Sequence, residues 1–168
     1  MRVITDAIID QTIRAARSSP RKRAHFILHQ PEDPVQRMVN AILPGSYVPP
    51  HRHQNPDKIE LFAILKGQVA ALKFTSDGKI DKIHLLDESG PIKIVDIRPR
   101  IYHGFIALKP SALLEIIQGP YHRATHKHWP DWSPREDDPK AAAFLKNLEH
   151  QVKTYLDTHH GKLPNHHP

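Results

Sequence analysis

The sequence predicts a mainly β domain, a sandwich or barrel of short strands with one helix at each end. Two observations carry this. Between residues 25 and 118 the chain is a succession of short apolar runs separated by turn residues, the pattern of antiparallel sheets rather than of alternating strand and helix. On either side of that region the apolar residues recur instead at helical spacing.

Each element has its own signal. Thr5 is a suitable N-cap, Asp6 suits the first turn, and Ile8, Ile9, Ile13 and Ala16 form a stripe that stops at Ser18-Ser19-Pro20. The strand candidates are His25 to Leu28, Met38 to Leu43, Leu61 to Leu65, Val69 to Phe74, Ile80 to Leu86, Ile92 to Ile97, Gly104 to Leu108 and Leu113 to Gln118. Ser76-Asp77-Gly78-Lys79 predicts a hairpin, because Asp and Gly tolerate the positive φ of such a turn, and Pro44-Gly45 predicts a second reversal. Gly119 to Pro134 reads as an ordered loop, since Tyr121, Trp129 and Trp132 offer large apolar surfaces. Ser133-Pro134-Arg135-Glu136 has a capping-box pattern and Asp138-Pro139 is a competing helix start. Ala141, Leu145, Leu148, Val152, Tyr155 and Leu156 then form the stripe of an amphipathic helix ending before Gly161.

The expected organisation is a helix over 1–19, a barrel over 20–120, and a loop, helix and tail over 121–168 packed on the same domain. No apolar run approaches the roughly 20 residues that cross a bilayer, and the N-terminus lacks a secretory apolar core, so a cytoplasmic protein with no membrane partner is expected. Without cysteine, any metal is held by histidine and carboxylate. The net charge of +6 invites a nucleic-acid reading, but the basic residues are dispersed among acids apart from Arg21-Lys22-Arg23, and no nucleic-acid-binding motif is present. Anionic small molecules are the better partners for that charge.

The chemistry-bearing pattern is Pro49-Pro50-His51-Arg52-His53, followed by Glu60 at the start of an apolar strand and by His103 at the start of another. Residues i and i+2 of an extended segment share a face, so His51 and His53 can converge on one cation, with Glu60 and His103 completing the set. His126-Lys127-His128 repeats the spacing within a loop and reads as coincidence among fourteen histidines. Arg21, Arg23, His25, Arg37 and Asn40 are candidates to bind a phosphate or carboxylate at the barrel mouth. Tyr102 and His25 are the candidate general acid or base. The tail histidines His159, His160, His166 and His167 are candidates for adventitious metal binding.

In order, Gly45, His51, His53, Glu60 and Gly67 resemble the first motif of the cupin superfamily, and Arg98-Pro99-Arg100-Ile101-Tyr102-His103 resembles the second. The gap from His53 to Glu60 is longer than in many cupins, and Arg100 stands where a turn glycine is usual. A closer resemblance, to WbuC-type cupin-fold metalloproteins, covers almost the whole chain. It rests on the N-terminal helix, Ser19-Pro20-Arg21-Lys22-Arg23, the strand ending at His29 and Asp33-Pro34-Val35-Gln36-Arg37-Met38. Pro44 to His53, Gly119-Pro120-Tyr121 and Trp132-Ser133-Pro134 complete it.

The resemblance implies a cupin-type double-stranded β-helix (jelly-roll) barrel and an association with surface-polysaccharide genes. The ligand set His51, His53, Glu60 and His103 suits one divalent ion: Fe, Mn, Ni, Co or Zn. Three functions follow as expectations: isomerase-, epimerase- or lyase-like action on an anionic or carbohydrate-like ligand, an iron-dependent dioxygenase, or a non-catalytic sensor. A homodimer is expected.

Overall fold

The computed structural model describes residues 1–159; His160, His166 and His167, named above as adventitious ligands, lie outside them. In chain order the elements are α1 (Asp6–Ser18), β1 (Arg23–Ile27), β2 (Val35–Ile42), β3 (Glu60–Lys66), β4 (Gln68–Phe74), β5 (Ile80–Asp87), β6 (Ile94–Ile97), β7 (Tyr102–Ala107), β8 (Ser111–Gln118) and α2 (Ala141–His159). They form two antiparallel sheets, β1-β2-β8-β3-β6 and β5-β4-β7.

Strand alternation sorts the apolar residues into three layers. Ile42, Phe62, Ile64, Val69, Ala71, Leu86, Phe105, Ala107 and Leu113 meet between the sheets. On the outer face of the larger sheet, Val39 and Ala41 of β2 and Ala112 of β8 receive Ile9, Ile13 and Ala16 of α1. On the outer face of the smaller sheet, Leu72 and Phe74 of β4 and Tyr102 and Ile106 of β7 receive Ala141, Leu145, Leu148 and Val152 of α2. Each large aliphatic side chain so buried contributes about 1.5–3 kcal/mol relative to exposure, so each helix is held by one face of its stripe. Within the α1 stripe Thr12 is also buried, its hydroxyl donating to the Ile8 carbonyl at 2.8 Å.

Both predicted turns form. In the β4–β5 hairpin the Gly78 amide donates to Thr75 O and the Thr75 amide to Lys79 O, with Gly78 at φ +87°. Gly45 takes φ +76° as the Ser46 amide closes onto Leu43 O. The turn before β7 has the glycine-like geometry that its sequence lacks: Arg100 adopts φ +67°. That conformation costs a non-glycine residue about 1–3 kcal/mol. It is held by the Arg100 amide on His53 O at 3.0 Å and by its guanidinium on Asp57.

At α2 the competing start prevails. The Asp138 carboxylate accepts from the Lys140 amide at 2.7 Å, Ala141 N–H donates to Asp138 O, and the helix begins at Ala141. Glu136 is therefore no capping-box partner, because its carboxylate is engaged by Arg21 and Arg23. The segment from Gly119 to Lys140 is a strap across one end of the barrel. It is tied down by the Tyr121 amide on Pro31 O, a bridge between Arg52 and His128, and the Tyr47 hydroxyl on Pro134 O. No helix among the described residues is long and apolar enough to cross a membrane.

Candidate metal centre

The chain from Val48 to Pro50 runs inward after the Gly45 turn, and His51 then pairs with β7: its amide donates to His103 O at 3.1 Å and the His103 amide returns the bond at 2.9 Å. Extended geometry at this bridge alternates the side chains. His51 and His53 enter the barrel, while Arg52 between them turns outward to lie over the Tyr102 ring at 4.4 Å. His103 enters from β7 on the face of Phe105, and Glu60 enters as the first residue of β3, on the face of Phe62. The long stretch between His53 and Glu60 is closed by buried Lys58, which donates to Pro120 O at 2.7 Å. The four side chains are buried, and their ligand-type atoms lie within 4.8 Å of one another.

The hydrogen bonds fix how the imidazoles present themselves. Nδ1 of His51 faces Pro49 O at 2.9 Å, Nδ1 of His53 faces His126 O at 2.6 Å, and Nδ1 of His103 faces Ile101 O at 2.9 Å. A carbonyl only accepts, so each Nδ1 carries its proton, and in the neutral ring each Nε2 is a bare lone pair. Nε2 of His53 and of His103 stand 3.1 and 3.0 Å from Glu60 Oε2. Nε2 of His103 has no hydrogen-bond partner although it is buried. Acceptor against acceptor at these distances is unfavourable unless a cation lies between them. Three nitrogens and a carboxylate, without thiolate, suit a divalent transition metal or zinc.

The charges agree with that arrangement. Burial, followed by the nearby Lys127, holds His51 well below the ordinary imidazole range.

A cavity of about 670 Å³ opens beside the centre, bounded by β1, β2, β8 and the strap. Arg21, Arg23, His25 and Asn40 line it. Arg37 does not join them. It lies three residues from Asn40 on β2, therefore on the opposite face, and pairs with Asp33 at 3.1 Å at the surface. Tyr102 likewise points away from the centre, because its neighbour His103 points in; it is packed with Trp132 beneath α2.

Among the cavity residues absent from the sequence-based candidates, two bear directly on the chemistry. Glu115 lies on the cavity face of β8, where burial and then the Glu60 charge push it up to about 7, and the Asn40 amide donates to it at 2.8 Å. An acid inside Leu113-Leu114-Glu115-Ile116-Ile117 was the available signal. Lys127, from the His-x-His repeat dismissed as coincidence, is the second; desolvation lowers its pKa against the attraction of Glu60 and Glu115.

These shifts predict an acid-sensitive apo-protein. Desolvation pushes His126 down to about 3 and, at the cavity wall near Lys127, His25 down to about 4, while His51 also stays neutral. Below pH about 6.5 the unfolded chain binds the protons these folded imidazoles refuse, so stability falls with pH. Glu115 acts in reverse between its unfolded value of 4.5 and its folded value of about 7, but it is one group against three. Thermal melts in chelator are expected to peak near neutrality and fall steadily toward pH 4; a midpoint that holds or rises to pH 5 would contradict the histidine assignments.

A family model described as a domain of unknown function (DUF6016) matches residues 4–86, which takes in His51, His53 and Glu60. No curated protein matches the sequence significantly. Among solved structures, an uncharacterized conserved protein with a double-stranded β-helix domain from Klebsiella pneumoniae is 14% identical. Its TM-score is 0.55, over 77% of this chain and 92% of that one. TT1209 from Thermus thermophilus is 20% identical, with TM-score 0.50 over 70% of this chain and 97% of that one. A cupin superfamily protein from Desulfitobacterium hafniense is 19% identical, with TM-score 0.46 over 57% and 76%. The first of these neighbours carries a double-stranded β-helix domain, and at such identities the likeness is one of fold alone. The chain thus folds as a double-stranded β-helix, and the buried group His51, His53, Glu60 and His103 inside it is compatible with a metal ion.

Proposed function

We propose that the chain is a divalent-metal-binding cupin of the WbuC type that binds and transforms a small anionic sugar derivative, in isomerase-, epimerase- or lyase-like chemistry serving surface-polysaccharide metabolism. The observation that carries the metal assignment is the set of three Nδ1–carbonyl hydrogen bonds that leave three Nε2 lone pairs converging on Glu60. A divalent ion held by His51, His53, Glu60 and His103 supplies Lewis acidity toward a carbonyl or hydroxyl. Arg23 and Lys127 attract the ligand's acidic group to the cavity. His25 stays neutral at the cavity wall, and the Glu115 carboxyl, oriented by Asn40, is placed to hold or release a proton. The protein acts in the cytoplasm as a homodimer, a state supported by exposed Ile27, Val35 and Ile59.

The test is an anaerobic NMR screen of zinc-, manganese- and iron-loaded protein against sugar acids and sugar phosphates. Conversion without oxygen supports the proposal. Oxygen uptake that stops when iron is removed would replace it with dioxygenase chemistry, and saturable binding without conversion would replace it with a sensor.

A further inference from the structure

We infer that Arg21 and Arg23 form the anion subsite of the cavity, and that Glu136 is its internal occupant, a carboxylate of the strap standing where a ligand's carboxylate or phosphate binds. The inference deepens the anionic-ligand reading above and rests on it.

Glu136 is gripped as a ligand acid would be. Arg21 donates from Nε to Oε1 at 2.8 Å and from Nη2 to Oε2 at 2.7 Å, and Arg23 Nη2 donates to Oε2 at 2.7 Å. This two-pronged geometry is the one arginine uses for planar acids. Arg23 is also prepared for the task. Its side chain is only 8% exposed, and Nη1 is committed to Tyr47 O at 2.8 Å, which leaves Nη2 aimed at the cavity. Desolvating a guanidinium is costly, whereas an exposed ion pair would tether the strap at a gain of about 0–1 kcal/mol without that cost.

The strap does not depend on Glu136. Pro134 O accepts the Tyr47 hydroxyl at 2.7 Å, Trp132 Nε1 donates to Ser76 O at 3.0 Å, and Asp138 caps α2. Glu136 sits in the turn closed by the Asp138 amide on Arg135 O, with 36% of its side chain exposed. Rotation of its side chain alone releases the carboxylate. Lys127 lines the same cavity, and among the described residues no hydrogen bond or ion pair holds it. An incoming acid therefore meets a third cation, beside Arg21 and Arg23, that has no hydrogen-bond or ion-pair partner among the described residues.

Isothermal titration of full-length, metal-loaded protein at constant ionic strength tests this, with inorganic phosphate in one arm and malonate in the other. Glu136→Gln is expected to bind one of the two about tenfold more tightly than wild type, the gain from removing a competing carboxylate; the arm that responds identifies the acid. Adding Arg23→Gln should cancel that gain, and Glu136→Asp should behave more like wild type. If Glu136→Gln is folded by circular dichroism yet binds neither acid more tightly, while wild type binds one saturably, Glu136 is a strap anchor only and the inference fails alone. If neither acid binds any form, the anionic-ligand reading fails with it.

Discussion

Replacing His51 or His103 with alanine is expected to abolish stoichiometric metal binding, with affinity falling by more than about 100-fold, because even losing a partner that merely orients a ligand costs 10–100-fold. For metal present at about 1,000 times Kd, binding stabilises the native state by about 4 kcal/mol. In a domain of this size that corresponds to roughly 8–16 °C in Tm, which both variants should forfeit. Glu60→Gln separates the metal from the protein that holds it. The glutamine amide can donate to the lone pair on Nε2 of His103, which has no partner now. The apo form of this variant should therefore melt higher than apo wild type, although the variant no longer responds to added metal. Metal analysis and melts with and without chelator check both signs, on the full chain and on a chain ending at Thr158 so that tail histidines do not contribute. Unchanged stoichiometry in the two alanine variants would remove the site, and an apo Glu60→Gln protein less stable than wild type would remove the acceptor–acceptor argument.

What the sequence disclosed, and what it withheld, follows from how far each signal reaches along the chain. Strands and turns are local: apolar runs bounded by Gly78 or Gly45 specify themselves, and the eight strand candidates correspond to the eight strands among the described residues. The convergence of His51, His53, Glu60 and His103 was legible because each sits at an element boundary beside a residue that sets its direction. Arg37 and Tyr102 were misplaced for a reason that strand parity already contains. A residue three positions from Asn40, or adjacent to His103, cannot share its face within a regular strand. Glu115 and Lys127 are a different matter. Their meeting depends on the β2–β8 register and on the path of the strap, both set by contacts between segments far apart in sequence. Glu136 shows the same limit: its local pattern satisfies a capping box, and a pair of arginines more than 110 positions away outcompetes it.

Trp132→Ala is expected to produce the largest loss of stability of any single change in the strap, about 3–5 kcal/mol from the general cost of truncating a large aromatic. Because Trp132 is half-buried, the lower end of that range applies, and the corresponding fall in Tm is about 6–12 °C. The ring packs at 5.3 Å from Phe74, 5.6 Å from Tyr102 and 6.4 Å from Phe144, so it joins β4, β7 and α2 at one point. Its Nε1 donates to Ser76 O in the hairpin, and a Cβ on Gly78 would stand 2.7 Å from the ring, so that turn is built against the indole. Trp132→Phe keeps most of the apolar contact and loses the hydrogen bond, which should cost about 1 kcal/mol. The consequence reaches the centre through the backbone: His126 O, which accepts from His53 Nδ1 at 2.6 Å, is carried by the strap between its attachments at Tyr121 and Trp132. Loosening one attachment should weaken metal affinity by about tenfold, as expected when a ligand loses the group that orients it. Chemical denaturation and metal titration on both variants measure the two effects separately. A Trp132→Ala protein that loses less than about 1 kcal/mol would show that α2 and the hairpin hold without the indole between them.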